Sequence, residues 1–383
     1  MKVPLFDIRI ADSERQAVDD VLRSGWLTMG PRTAEFEQSF AAHLGVAHAL
    51  AVSSGTAALH LAYLGAGIGP GDEVIVPAMT FVATANAVRY CGGTPVFAEI
   101  RGEHDFGIDP EAVAKLIGPQ TKAVAAVHYA GYAAPVEALS ALCEEHGLAL
   151  IEDAAHSPSA TPVGSERKLG SWGLAGAFSF FSNKVLGCGE GGLLATDDDE
   201  VAAAVKRYRS HAMTTGTWDR HTGHALGYDV VDLGYNYRID EMRAALLQAR
   251  LGGLEEDIDR RRHLVHRYRE RLAGMEGISV PYTDAEVDTS SCYIMPTTLT
   301  SEGSRDAIRT MLIDEYEVQT SVLYPSITEF TEYQGDGIPA LPLTERAGRT
   351  EMSLPLFPHM TEAEQDWVLE SLEKSLSAAS AAG

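Results

Sequence analysis

Between residues 47 and 153 the chain alternates short apolar runs with stretches whose apolar positions recur at helical spacing. AHALAV (47–52), EVIVP (73–77), TPVFAEI (94–100), KAVAAVHY (122–129) and LALIED (148–153) are apolar on successive residues, the pattern of strands covered on both faces. Helical periodicity fills the gaps at 55–66, at 81–91, at 110–117 after an Asp109-Pro110 start, and at 136–146, where Gly147 is the stop. This alternation predicts right-handed crossovers and a mostly parallel sheet with helices on both sides. Two further strands, LAGAFSFF (174–181) and GGLLATD (191–197), flank a glycine-rich turn.

Before this region Asp12 or Ser13 is placed to cap a helix ending near Arg23, and Thr33 a second one running to Leu44, with Gly45 closing it. Past residue 239 the texture changes to longer helices, 239–251 and 254–273. A strand at 292–297, a helix at 302–316, a proline-punctuated stretch and a helix from Thr361 to about Leu376 follow, with the SLSAASAAG tail expected to fray. The fold class expected is α/β: a large domain, residues 1–250, with a mostly parallel central sheet, and a smaller C-terminal α+β domain, residues 251–383. A chain of 383 residues is longer than one hydrophobic core usually spans.

Charge narrows the function. A formal net charge of −24, with no lysine- or arginine-rich block, argues against nucleic acid as a partner. No apolar run reaches the roughly 20 residues of a membrane helix, and the start lacks a secretory apolar core, so a cytoplasmic protein without membrane contact is expected. Cys91, Cys143, Cys188 and Cys292 show no metal-ligand spacing, and no metal is expected.

In open α/β sheets ligands gather outside the carboxyl ends of strands, so polar residues that end apolar runs are the candidates. Asp153 ends LALIED, with His156 three residues on; a helix cap or turn residue is the plain alternative. A lysine that forms a Schiff base must be desolvated and fixed. Of Lys2, Lys115, Lys122, Lys168, Lys184, Lys206 and Lys374, only Lys184 follows a buried-strand pattern, AFSFF, although a solvated stem at a strand end would look similar. A strand also runs into Ser54-Gly55-Thr56 and directly into a helix, whose first amides and dipole suit a phosphate as well as a simple cap. Ser179 could add a hydroxyl there. Gly187-Cys188-Gly189-Glu190-Gly191-Gly192 matches the dinucleotide fingerprint formally, but a strand follows where that motif needs a helix, which argues against a nicotinamide oxidoreductase.

SSGTAALHLA, PAMTFVATANAV, IEDAAHS, FSFFSNKVLGCGEGGLLATDD and GYNYRIDEMRAALLQARL together resemble, in order and spacing, the signature blocks of the DegT/DnrJ/StrS-type nucleotide-sugar aminotransferases. The resemblance implies a fold-type I enzyme that uses pyridoxal 5'-phosphate, with pyridoxamine 5'-phosphate as the alternate form. It implies Lys184 as the Schiff-base amine and proton carrier, and Asp153 as the partner of the ring nitrogen. Ser54, Gly55, Thr56 and Ser179 would hold the phosphate, His156 would lie near the phenolic oxygen, and Phe81 would stack on the ring unless it is a core aromatic. Asn236 would reach the phosphate of a neighbouring subunit, which implies a homodimer. L-glutamate would give the amino group to a nucleotide-linked keto sugar, a TDP-4-keto-6-deoxyhexose, with a keto cyclitol or cofactor binding without turnover as alternatives. Many relatives have glutamine in place of His156, and TSVLYPSITEFTEY replaces a segment that often ends in histidine. Tyr324 in that segment, and Arg220 in the loop 211–229, are the candidate substrate contacts, a plain surface loop being the alternative for 211–229.

Overall fold

A computed structural model of the chain describes residues 1–216, 218, 221–223, 227–335 and 338–382. Nine strands come first: β1 (His48–Val52), β2 (Glu73–Pro77), β3 (Thr94–Ala98), β4 (Ile100–Gly102), β5 (Asp105–Ile108), β6 (Thr121–Val127), β7 (Ala149–Asp153), β8 (Ala175–Ser179) and β9 (Gly192–Thr196). Seven of them form one sheet in the order β1-β9-β8-β7-β6-β2-β3. The pairs among β8, β7, β6, β2 and β3 are parallel, whereas β9 runs antiparallel to both β1 and β8. The predicted run 94–100 divides into β3 and β4, and β4 pairs with β5 as a small hairpin absent from the periodicity. Every interior residue of β2, β7 and β9 is buried, and so is every residue of β6 except Lys122 near its start, the burial that continuous apolar runs call for.

The carboxyl ends of β7 and β8 are neighbours, with Asp153 opposite Ala177 in register. The helix Gly55–Gly65 leaves the end of β1 close to the same edge. Three stretches far apart in sequence therefore open on one edge of the sheet.

Several predicted boundaries are corrected. The first helix, Asp12–Ser24, begins after Ala11, whose N–H donates to the Glu14 carboxylate at 2.9 Å, so neither Asp12 nor Ser13 is the cap. The second, Pro31–Leu44, starts two residues before Thr33. Its cap comes from across the molecule: the Glu241 carboxylate accepts the N–H groups of Gly30, Arg32 and Thr33 at 2.8, 2.7 and 2.9 Å. A buried acid taking three helix-end donors outcompetes one local hydroxyl, because it also favours the positive end of the dipole. Glu241→Ala is accordingly expected to lower stability by about 3 kcal/mol, leaving buried amides unsatisfied. Urea unfolding of the variant, with an unchanged midpoint, would refute this.

Downstream, β10 (Ile278–Ser279), β11 (Met295–Leu299) and β12 (Glu351–Leu354) form an antiparallel sheet. Helix Leu254–Leu272 packs beside it through Leu254, Ile258, Leu264, Val265, Tyr268 and Leu272. The first residues join this region too, for Val3 is fully buried and pairs with Val318. The final helix continues to Ala382 rather than fraying after Leu376: its tail is rich in alanine, the best helix former, and Ala379 packs on the core. Among the described residues no helix is long and apolar enough to cross a membrane.

Candidate active site

Successive strand residues face opposite ways, and Glu152-Asp153 at the end of β7 uses that alternation. Glu152 is fully buried and accepts the N–H groups of Gly170, Trp172 and Gly173 at 2.7, 2.6 and 2.9 Å, with His128 Nε2 at 2.9 Å. It ties down the turn before β8. Asp153 takes the other direction, where Thr84 Oγ1 donates to its Oδ2 at 2.7 Å and the Ala155 N–H to its Oδ1 at 3.2 Å. Thr84 is in turn paired with Thr80 at 3.0 Å. Burial pushes the Asp153 carboxyl above its ordinary range, against the opposing effects of Thr84, the Ala155 amide and Lys184. Its anionic form therefore gains most from a cation placed against it.

Lys184 follows β8 in a turn closed by its own N–H donating to the Phe181 carbonyl at 2.9 Å. Its ammonium lies 4.4 Å from the centroid of the Tyr293 ring. Desolvation drives the amine down to about 7, although Asp153 pulls the other way. An amine near neutrality is a ready nucleophile at physiological pH.

Asp153 and Lys184 line one cavity of about 340 Å³. At another wall Ser54 caps helix Gly55–Gly65 through the Ala57 N–H at 3.1 Å, and Gly55 and Thr56 at the helix start also line the space. A Cβ on Gly55 would sit 2.8 Å from Ser179 Cβ, so the absent side chain is what lets helix and β8 meet there. The result is a cradle of helix-start amides with the Ser179 hydroxyl beside it, a setting for an anionic group.

Aromatic rings form the remaining wall in sequence from the amine outward. Tyr293, beneath Lys184, packs against His156 at 4.4 Å; His156 faces Tyr324 at 6.2 Å, and Tyr324 meets Phe81 at 5.7 Å. Phe81 is 54% exposed, which overturns the alternative of a core aromatic.

Ser54, Gly55, Thr56, Phe81, Asp153, His156, Ser179, Lys184 and Tyr324 are thus brought to one cavity. Asn236 is not on its lining; it is exposed and bridges to Ser210. Arg220 lies outside the described residues. Thr84, Tyr293 and Asn183, whose Oδ1 accepts from Tyr293 at 3.1 Å, escaped sequence reading. Asn183 adjoins Lys184 and could have been suspected; nothing local marks the other two. The turn 187–192 runs into β9, not a helix, and no metal-holding cluster of His, Cys, Asp or Glu occurs among the described residues.

A cavity that offers a near-neutral amine, a buried acid and an anion cradle suits a small planar cation with an aldehyde and an anionic tail. The model of the DegT/DnrJ/EryC1/StrS aminotransferase family matches residues 9–373. The chain is 37% identical over 369 residues to the spore coat polysaccharide biosynthesis protein SpsC of Bacillus subtilis, covering 95% of this chain and 94% of that one. Among solved structures it is similar to S. venezuelae DesV in complex with a ketimine intermediate, at 35% identity and a TM-score of 0.89 with 98% of each chain covered. Bacillus subtilis NtdA with bound cofactor PMP gives 29% identity and a TM-score of 0.84, over 96% of this chain and 83% of that one.

Proposed function

We propose, from the premise that this chain belongs to the DegT/DnrJ/EryC1/StrS aminotransferase family, that it moves an amino group from L-glutamate to a keto sugar carried on a nucleotide. The family makes it a sugar aminotransferase dependent on pyridoxal 5'-phosphate, with pyridoxamine 5'-phosphate as the alternate form. When bound, pyridoxal phosphate supplies an electron sink that stabilises a carbanion at the carbon bearing the nitrogen.

The observation that carries the reading is that Lys184 and Asp153 line one cavity, each shifted by burial toward its neutral form. Lys184 would hold the cofactor through its amine, then move a proton to and from the substrate carbon. Asp153, fixed by Thr84, would keep the ring nitrogen charged; the cation it faces would offset the cost of burying its own charge. The helix start at Gly55 and Thr56, with Ser54 and Ser179, would take the phosphate, and exposed Phe81 would lie against the ring.

Asn236 would serve the site of a second copy. Support comes from an exposed apolar run beside it, Tyr228, Val230, Val231 and Leu233, which a homodimer would cover.

The test is to incubate the protein with L-glutamate and a panel of keto sugar nucleotides that includes a TDP-4-keto-6-deoxyhexose, and to identify amino products by mass. An amino sugar nucleotide is the expected product. Turnover of a keto cyclitol in place of every sugar nucleotide would overturn the substrate class, and failure of L-glutamate to bleach the yellow form would overturn the donor.

A further inference from the structure

Both nitrogens of the His156 ring are engaged by the protein itself. The Ala130 N–H donates to Nδ1 at 3.1 Å, and a backbone amide can only give a hydrogen, so Nδ1 presents its lone pair. Burial, with Lys184 nearby, keeps the ring far below its ordinary pKa and hence neutral. A neutral imidazole that accepts at Nδ1 carries its single hydrogen on Nε2. Nε2 lies 3.2 Å from the Tyr324 oxygen, which therefore receives that hydrogen.

The consequence falls on Tyr324. Its oxygen accepts from His156, and burial holds the phenol protonated, so its own hydrogen must be given to another acceptor. Among the described residues no second partner is found for that hydroxyl, and Tyr324 lines the cavity. The backbone just before it is also fixed, since the Leu323 N–H donates to the buried Glu351 carboxylate at 2.7 Å. The donor is therefore held at its backbone and at its hydroxyl before any ligand arrives, which lowers the entropy lost when the bond forms.

We infer that Tyr324 is the side chain that donates a hydrogen bond to an acceptor oxygen of the bound ligand, and that His156 is a positioning residue that aims it. This rests on the pyridoxal-phosphate reading and moves the ligand-facing hydrogen bond of this wall from the imidazole to the phenol. Two oxygens share the required chemistry: the phenolic oxygen of the cofactor and an oxygen of the substrate.

The experiment uses the full-length loaded protein with Tyr324→Phe, His156→Leu, their combination and His156→Gln, whose amide can both accept from Ala130 and donate to Tyr324. Each is assayed in the L-glutamate half-reaction and in the return half-reaction with a TDP-4-keto-6-deoxyhexose, alongside the absorption maximum of the bound cofactor. Tyr324→Phe is expected to lower kcat/KM by about tenfold in at least one half-reaction, the worth of one hydrogen bond. His156→Leu should fall similarly, the double variant no further than Tyr324→Phe alone, and His156→Gln should recover to within about threefold of the native protein. A shifted absorption maximum assigns the acceptor to the cofactor; a raised KM with an unmoved spectrum assigns it to the substrate. The inference is overturned if Tyr324→Phe leaves rates and spectrum within about twofold of native, or if the two single losses multiply in the double variant. Should the native protein itself bind no pyridoxal phosphate, the underlying reading fails before any variant is compared.

Discussion

Replacing Lys184 by alanine is expected to lower amino-group transfer on the order of 10⁴-fold or more and to abolish borohydride fixation of pyridoxal phosphate to the protein. The fold should survive, because the Lys184 ammonium rests over the Tyr293 ring rather than closing an ion pair, and removing a desolvated cation relieves a cost. Thermal unfolding of the variant without cofactor should match or slightly exceed the native value. A variant still fixing cofactor under borohydride would sink the assignment. The same amine sets a pH dependence in the native protein. Its pKa falls from an ordinary 10.5 to about 7, so the free base accumulates as pH rises through about 7. Capture of pyridoxal phosphate by the cofactor-free protein should therefore quicken across that midpoint and level off above it, as followed by the growth of yellow absorbance. Between 7 and 10.5 the unfolded chain holds more protons at this site than the folded one. Stability of the cofactor-free protein therefore gains from this group as pH rises across that window, and the gain is gone below about 7.

The second large effect is expected from Asp153→Asn. Breaking a buried charge pair by neutralising one member costs about 3–5 kcal/mol, and a loss of that size in the transition state slows turnover by about a thousandfold. The amide can keep the hydrogen bond from Thr84 that the carboxylate accepts now at 2.7 Å, so the side chain should remain in place. Because burial already pushes the Asp153 carboxyl toward its neutral form, the cofactor-free variant should unfold no more readily than the native protein. Large loss of rate without loss of stability separates a group that serves the ligand from one that holds the fold. Turnover within about tenfold of native would show that Asp153 does not face the ring nitrogen. Glu152 gives the contrast one residue away, since it holds three backbone amides and faces the other way. Neutralising it should instead destabilise the turn before β8.

Those two neighbours also mark how far the chain could be read directly. An acid at the end of an apolar run signals a strand leaving the core, but only the pleat decides which of two adjacent acids enters the cavity. Thr84 had no distinguishing signal, lying within a helix of small residues, yet it orients Asp153 from 69 positions away. Tyr293 likewise reads as part of a hydrophobic strand, and its place under Lys184 depends on how β11 and the turns before it meet the main sheet. Glu241 looks like an ordinary first-turn acid of its own helix, whereas its carboxylate caps another helix more than two hundred residues earlier.

What the sequence determined by itself are features set by local chemistry. Strands buried on both faces must be continuously apolar, and parallel strands must be joined by crossovers, so β2, β6 and β7 and the edge where Asp153 and Lys184 emerge were legible from periodicity. Ser54-Gly55-Thr56 was legible for the same reason, since a strand followed at once by a helix leaves amides free. The tertiary structure alone decided which hydrogen bonds satisfy those groups: the tautomer of His156, the aim of Tyr324 and the acid capping residues 31–44. Hydrogen bonds act over about 3 Å and in fixed directions, and sequence spacing carries no information about such vectors once the partners are separated by whole elements of the fold.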